Sequence, residues 1–183
     1  MTKDSLSEAM AAIAAAWGPL SSGLVQTTRR HLEALVRAPI EEPWLAALQR
    51  DRPASRELHR DPVHGFVLQA HVEPPDLYRP PHDHGRGWVI YAVQQGASRM
   101  GTYARVRDAA GRDMLVRRGN TLVGPGRAEV YLPGDIHDTL CVAGPALLLR
   151  FTDRDLRKED HEQRRVTRYV EREGVWAPAV PGP

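Results

Sequence analysis

Residues 80–88 read PPHDHGRGW, and the pair His82 and His84 at its centre decides how the chain is understood. With extended backbone, side chains two positions apart share a face, so His82 and His84 point one way and Asp83 the other. Pro80 and Pro81 favour that extended approach, because a residue before proline is pushed out of the helical region. Gly85 and Gly87 then let the chain bend. Two imidazoles about 6–7 Å apart along a strand can converge on one metal ion if a third ligand comes from elsewhere. The best third candidate is His137, in LPGDIHDTL, which follows a Pro-Gly turn at the start of a β-like run. Of the chain's eight histidines, His31 lies in a helical pattern and His161 in a charged segment. His59, His64 and His71 fall before or in the first strand, and His71 competes only if it points inward.

Around this stretch the pattern is short β-like runs broken by Gly and Pro: Phe66–Val72, Trp88–Val93, Arg99–Val106, Met114–Arg117, Glu129–Leu132, Thr139–Val142 and Ala146–Thr152. Such spacing predicts a sandwich or barrel. Before residue 50 the pattern is helical. Leu6, Met10, Ile13 and Trp17 recur at helical spacing behind a Ser5/Glu8 capping box, and Gly18-Pro19 ends the run. A second helix is predicted from Ser22 to Arg37, and a third from Pro43 to Arg50. Met10 and Trp17 are expected to pack helix on barrel, and Trp88, Tyr91 and Tyr103 to pack in the barrel core. The charged run Asp153–Arg165 reads as a solvated face, Val166–Val170 as a last edge strand, and the VPGP ending as a frayed tail. The expected division is a helical segment 1–50, a barrel 51–175 and a tail 176–183.

Among 183 residues, 25 basic side chains nearly balance 23 acidic ones, so charge provides little drive toward nucleic acid or an anionic membrane. The single Cys141 rules out an intrachain disulfide and suits a reducing compartment. The start MTKDSLSEAM lacks a signal-peptide apolar run, and no 18-residue apolar segment occurs. The expectation is a cytoplasmic protein that meets a small molecule rather than nucleic acid or membrane; a homodimer is left open.

HDHGRGWVIYAVQQG, with Gly96 closing the strand, resembles the first cupin motif, and GRAEVYLPGDIH, with Gly126 and Gly134 ahead of His137, resembles the second. The resemblance implies a mainly β fold, a double-stranded β-helix barrel (jelly roll) with the N-terminal α-helices packed on it, and a metal at its mouth. Many cupins add a glutamate after the two histidines; Val89 stands at that position, which leaves three neutral imidazoles: His82, His84 and His137. With SREL, RDPVHGFVLQAHV and RRVTRYV, roughly residues 54–170 are similar to the cysteine dioxygenase-like (thiol dioxygenase-like) branch. There Arg56 matches the place of the arginine that holds the substrate carboxylate. That branch usually carries a Ser-x-His-x-Tyr array after the third histidine, where this chain has Leu148-Leu149-Arg150-Phe151-Thr152. A different substrate is therefore implied. Arg150, if it faces inward, is a second anchor for a planar anion.

Three imidazoles suit Fe, Zn, Cu and Ni. The resemblance favours Fe(II), with Zn or Ni as alternatives, and a dioxygenase acting with O2 on a small anionic thiol or other carboxylate-bearing molecule. The competing reading is a metal-binding cupin without O2 chemistry, a Zn hydrolase or lyase or a small-ligand sensor. A third is a non-catalytic barrel assembled through its helices. Asp83, Asp135 and Asp138 are candidate partners for the outer ring nitrogens of the histidines.

Overall fold

The computed structural model describes residues 4–179. Three helices come first: α1 (Ser5–Ala15), α2 (Ser22–Leu35) and α3 (Pro43–Asp51). The cap of α1 is Asp4, whose side chain accepts from the Ser7 amide, and not Ser5, whose hydroxyl instead reaches Glu42. Nine strands follow: β1 (Arg56–Arg60), β2 (Val67–Glu73), β3 (Tyr78–His82), β4 (Val89–Arg107), β5 (Asp113–Val123), β6 (Arg127–Tyr131), β7 (Ile136–Thr152), β8 (Tyr169–Arg172) and β9 (Val175–Pro178). The protein is mainly β, with N-terminal helices, as the sequence predicts.

β4 and β7 organise the rest. They pair antiparallel from Val89↔Thr152 to Tyr103↔Ile136, and the ladder is irregular between Val93 and Ser98. Each long strand then takes different neighbours on either side of this irregularity. The first half of β4 pairs with β6 and the second with β5. The second half of β7 pairs with β2, which carries β1, and the first half pairs with β3. One strand pair thus belongs to two layers. Their inner faces meet where Val89, Tyr91, Val93 and Leu148 pack on Met100 and Val123.

The first layer is buried on both sides. Trp88, Ile90, Ala92, Leu147, Leu149 and Phe151 face the helices and share a core with Met10, Ile13, Leu32 and Leu45. The intervening residues face the other layer. This double burial explains why WVIYAV and ALLLRF are nearly continuous apolar runs with no alternation. Trp17 seals the helical side, 4.8 Å from the Phe66 ring and 6.3 Å from that of Trp88.

The C-terminal segment departs from expectation. Asp153–Arg165 is a solvated face only in part: Arg157, Lys158 and residues 161–165 are exposed, but Glu159, in a π-helical turn Lys158–Glu162, is buried, where its carboxylate meets the guanidinium of Arg154 and the amide of Arg86. The strand expected at Val166–Val170 begins at Tyr169, as β8, and pairs with β9, so residues 176–178, expected in the tail, are hydrogen-bonded strand. Residues 180–183, the VPGP ending, lie outside the described residues.

Candidate metal centre

β3 and β7 place two of the three histidines directly opposite each other, since His82 and His137 are register partners. His84 follows β3 in a loop whose turn at Gly85 has φ of 61°, a left-handed conformation that glycine adopts without strain. Potential ligand atoms of His82, His84 and His137 all lie within 4.8 Å of one another. The Nε2 atoms of His84 and His137 are 3.5 Å apart. Two nitrogens about 2.1 Å from one ion stand roughly 3.0–3.5 Å apart for angles of about 90–110°, so this spacing fits a shared cation.

The electronic state also fits. Burial drives the pKa of His84 and His137 well below the ordinary imidazole value and lowers that of His82, so all three rings are neutral with a lone pair to offer. His82 Nδ1 is 2.9 Å from the Pro80 carbonyl; donating there leaves Nε2 free for an ion. The outer nitrogens of His84 and His137 are buried and have no partner among the described residues. None of the three candidate aspartates fills that role. Asp135 accepts the Leu132 amide in its turn, and Asp83 accepts the amides of Gly85 and Thr167. Asp138 lies on the outer face, holding Tyr78, Tyr103, Arg117 and the Gly101 amide. His137 is oriented by packing instead, its ring stacked on Tyr131 with centroids 3.8 Å apart.

A cavity of about 620 Å³ opens beside His82 and His84, and Arg150 and Tyr91 also line it. Arg150 faces inward, as its place between Gln69 and Tyr91 in the ladder requires. It donates to Gln69 Oε1; its Nε is buried without a partner, and no carboxylate lies within 4.0 Å of it among the described residues. Arg56 is not part of this cavity. It sits on β1, 3.0 Å from Asp51 and partly exposed, because a surface carboxylate neutralises it where β1 forms the sheet edge.

Two residues of the cavity were not assigned to the site from sequence. Tyr91 packs in the core as expected and also lines the cavity, with its hydroxyl 3.5 Å from His84 Nε2 and its pKa raised by burial. His71 does point inward. Its Nδ1 is 3.2 Å from the Ala54 carbonyl, and burial, with Arg150 acting in the same sense, lowers its pKa to about 4. The available signal was alternation in VLQAHVE: Gln69, His71 and Glu73 are its polar positions and share one face.

No family model matches the chain, and no curated protein matches it. Solved structures do align with it. KdgF from Halomonas sp. aligns with TM-score 0.41 and 17% identity over 54% of this chain and 74% of that one. The cupin domain of Schizosaccharomyces pombe Cnp3 gives 0.42 and 11% over 54% and 57%. A cupin superfamily protein from Desulfitobacterium hafniense gives 0.39 and 13% over 55% and 76%. The chain thus spans little more than half of the Cnp3 structure. These neighbours include cupin-fold proteins; no activity is carried over from them.

Proposed function

We propose that the protein is a non-haem Fe(II)-dependent dioxygenase of the cysteine dioxygenase-like cupin type, acting with O2 on a small carboxylate-bearing substrate. The observation that carries this reading is that Arg150, a guanidinium with no carboxylate partner among the described residues, lines the same cavity as His82 and His84, two of the three clustered histidines. A partly buried charge with only a neutral amide as partner is costly, and an anionic substrate reduces that cost. His82, His84 and His137 would hold the metal; bound there, Fe(II) supplies open positions for substrate and O2 together with redox electrons. Arg150 fixes a carboxylate through its planar donors. Tyr91 offers a hydroxyl beside His84, and Leu148 and Leu156 add apolar side chains to the cavity lining. The cavity volume accommodates acids larger than a three-carbon thiol, in line with the altered strand at 148–152.

Iron-loaded protein is expected to consume O2 only when a thiol or other carboxylic acid from a test panel is added, as an oxygen electrode reads. His82→Ala is expected to lose both metal content and uptake. Protein that retains no metal, or Fe(II)-loaded protein silent toward the whole panel, overturns the proposal. One observation favours a second reading: the Tyr91 hydroxyl is placed to move a proton, which suits a Zn-dependent lyase or hydrolase. Substrate turnover by Zn-loaded protein without O2 uptake would select it.

A further inference from the structure

Asp83 faces away from the metal cluster, yet it is only 6% exposed and ties the histidine loop to the far end of the chain. Its Oδ1 accepts the Gly85 amide at 3.1 Å and the Thr167 amide at 2.8 Å. Its own amide donates to the Thr167 carbonyl at 3.0 Å, and His82 forms a bridge with Arg168. Two further ties join the same partners: the Arg86 amide to Glu159 and the Trp88 amide to Asp153, at 3.4 and 3.0 Å. Gly85 is packed so closely that an added Cβ would stand 3.1 Å from Arg165 Cβ. The strap 153–169 therefore lies on the loop that carries His82 and His84, and Leu156, Val166 and Arg168 of that strap line the cavity.

We propose that Asp83 is a positioning residue that couples metal occupancy of the histidine cluster to the seating of this strap. The inference rests on the reading that the three histidines hold a metal. The physical reason is direct. His84 lies in a loop rather than a strand, so its place relative to His137 is set by the contacts that hold the loop, and Asp83 makes three of them, two to Thr167 and one to Gly85. Strengthening one end of such a linkage must strengthen the other equally. Because both amides meet the same oxygen, a neutral amide can replace the carboxylate: Asp83→Asn retains the acceptor, whereas Asp83→Ala removes it. The carboxylate's other contact, to Arg105, is 3.7 Å long and half exposed, and carries little.

The test uses the full chain stripped of metal by a chelator and titrated with Co(II), whose visible absorption reports ligation. Tryptic nicking after Arg164 and Arg165 reports the strap, and circular dichroism confirms folding. Wild-type protein is expected to bind Co(II), and Co(II) to slow nicking about tenfold or more. Asp83→Ala is expected to weaken Co(II) binding by about 10–100-fold, the scale of a lost hydrogen bond to a charged acceptor, and to abolish the protection. Asp83→Asn is expected to stay within about threefold of wild type. Thr167→Pro removes the donated amide while leaving Asp83 and the histidines intact, and is expected to show the same direction of loss should Asp83→Ala fail to fold. Unchanged affinity and protection in folded Asp83→Ala or Thr167→Pro overturns the proposal, as does an Asp83→Asn variant as weak as the alanine variant. Wild-type protein that does not bind Co(II) removes the metal reading and this inference together, whereas binding without coupling removes this inference alone.

Discussion

Arg150 interrupts an otherwise apolar run from Ala146 to Phe151, in a strand buried on both faces. A lone charge in such a run is visible in the sequence, but its direction is not, since a one-residue shift of register exchanges the two faces. The ladder with Gln69 and Tyr91 settles it. Arg150→Met is therefore expected to weaken binding of a carboxylate ligand by tenfold or more, read by calorimetric titration. The same change is expected to raise the stability of the ligand-free protein by about 1–2 kcal/mol in urea denaturation, because a desolvated charge is replaced by an apolar chain of similar length. Loss of stability without loss of binding would contradict the assigned role. The histidine trio was legible from the two-residue spacing of His82 and His84 and from a third histidine behind a Pro-Gly turn, although His84 lies in the loop beyond β3 rather than in a strand. Arg56 was misplaced because a resemblance gives a position along the chain but not the company of Asp51, which neutralises it at the surface. Tyr91 and His71 were obscured for a related reason: a cavity wall is built from the same alternating residues as a packed core.

At the scale of elements, the runs Trp88–Val93 and Arg99–Val106 were expected as two strands, as were Thr139–Val142 and Ala146–Thr152. Each pair is one long strand. Gly96 and Gly144-Pro145 were read as turn signals, and both mark irregular points in continuous strands where the pairing partners change. Gly96 shows the constraint most clearly. Its φ is 77°, and an added Cβ would stand 2.3 Å from the Ala143 carbonyl oxygen and 2.7 Å from Ala146 Cα. Both are backbone atoms with no freedom to rotate away. Gly96→Ala is expected to cost about 2 kcal/mol or more, combining backbone strain with steric overlap; a urea midpoint equal to wild type would refute this. The burial of Glu159 in the charged segment after β7 was missed because composition reports average solvation, whereas one of its partners, the Arg86 amide, is distant in sequence.

For the molecule as a whole, the helices and the cavity occupy opposite faces of one layer. Leu45 is fully buried in the core on the helical side, so Leu45→Ala is expected to cost about 2–5 kcal/mol in urea denaturation. A cost under 1 kcal/mol would show that the helices contribute little to the fold. Acid acts from the cavity side. His71 has a folded pKa of about 4 against an ordinary 6.5, so the unfolded chain binds more protons between those values. Its contribution is fully present above pH 6.5 and is lost as pH falls through 4, to a limit of about 3 kcal/mol. His82, His84 and His137 act in the same direction. Metal-free protein is therefore expected to be measurably less stable to urea at pH 5 than at pH 7.5, while His71→Phe reduces that dependence and leaves the share of the other three histidines; equal stability of the wild type at the two pH values would refute it. β7 has one more consequence. It carries His137 at one end and Arg150 at the other, so under the proposed function a single strand sets the separation between the metal ligands and the carboxylate anchor. Adding or removing two residues in the bend at 143–146 is then expected to preserve the inward face of Arg150 while changing that separation, and a change of one residue to turn Arg150 toward the helices. Insertion variants screened against acids of graded chain length are expected to shift the preferred length in two-residue steps; an unchanged preference would contradict the proposed anchor.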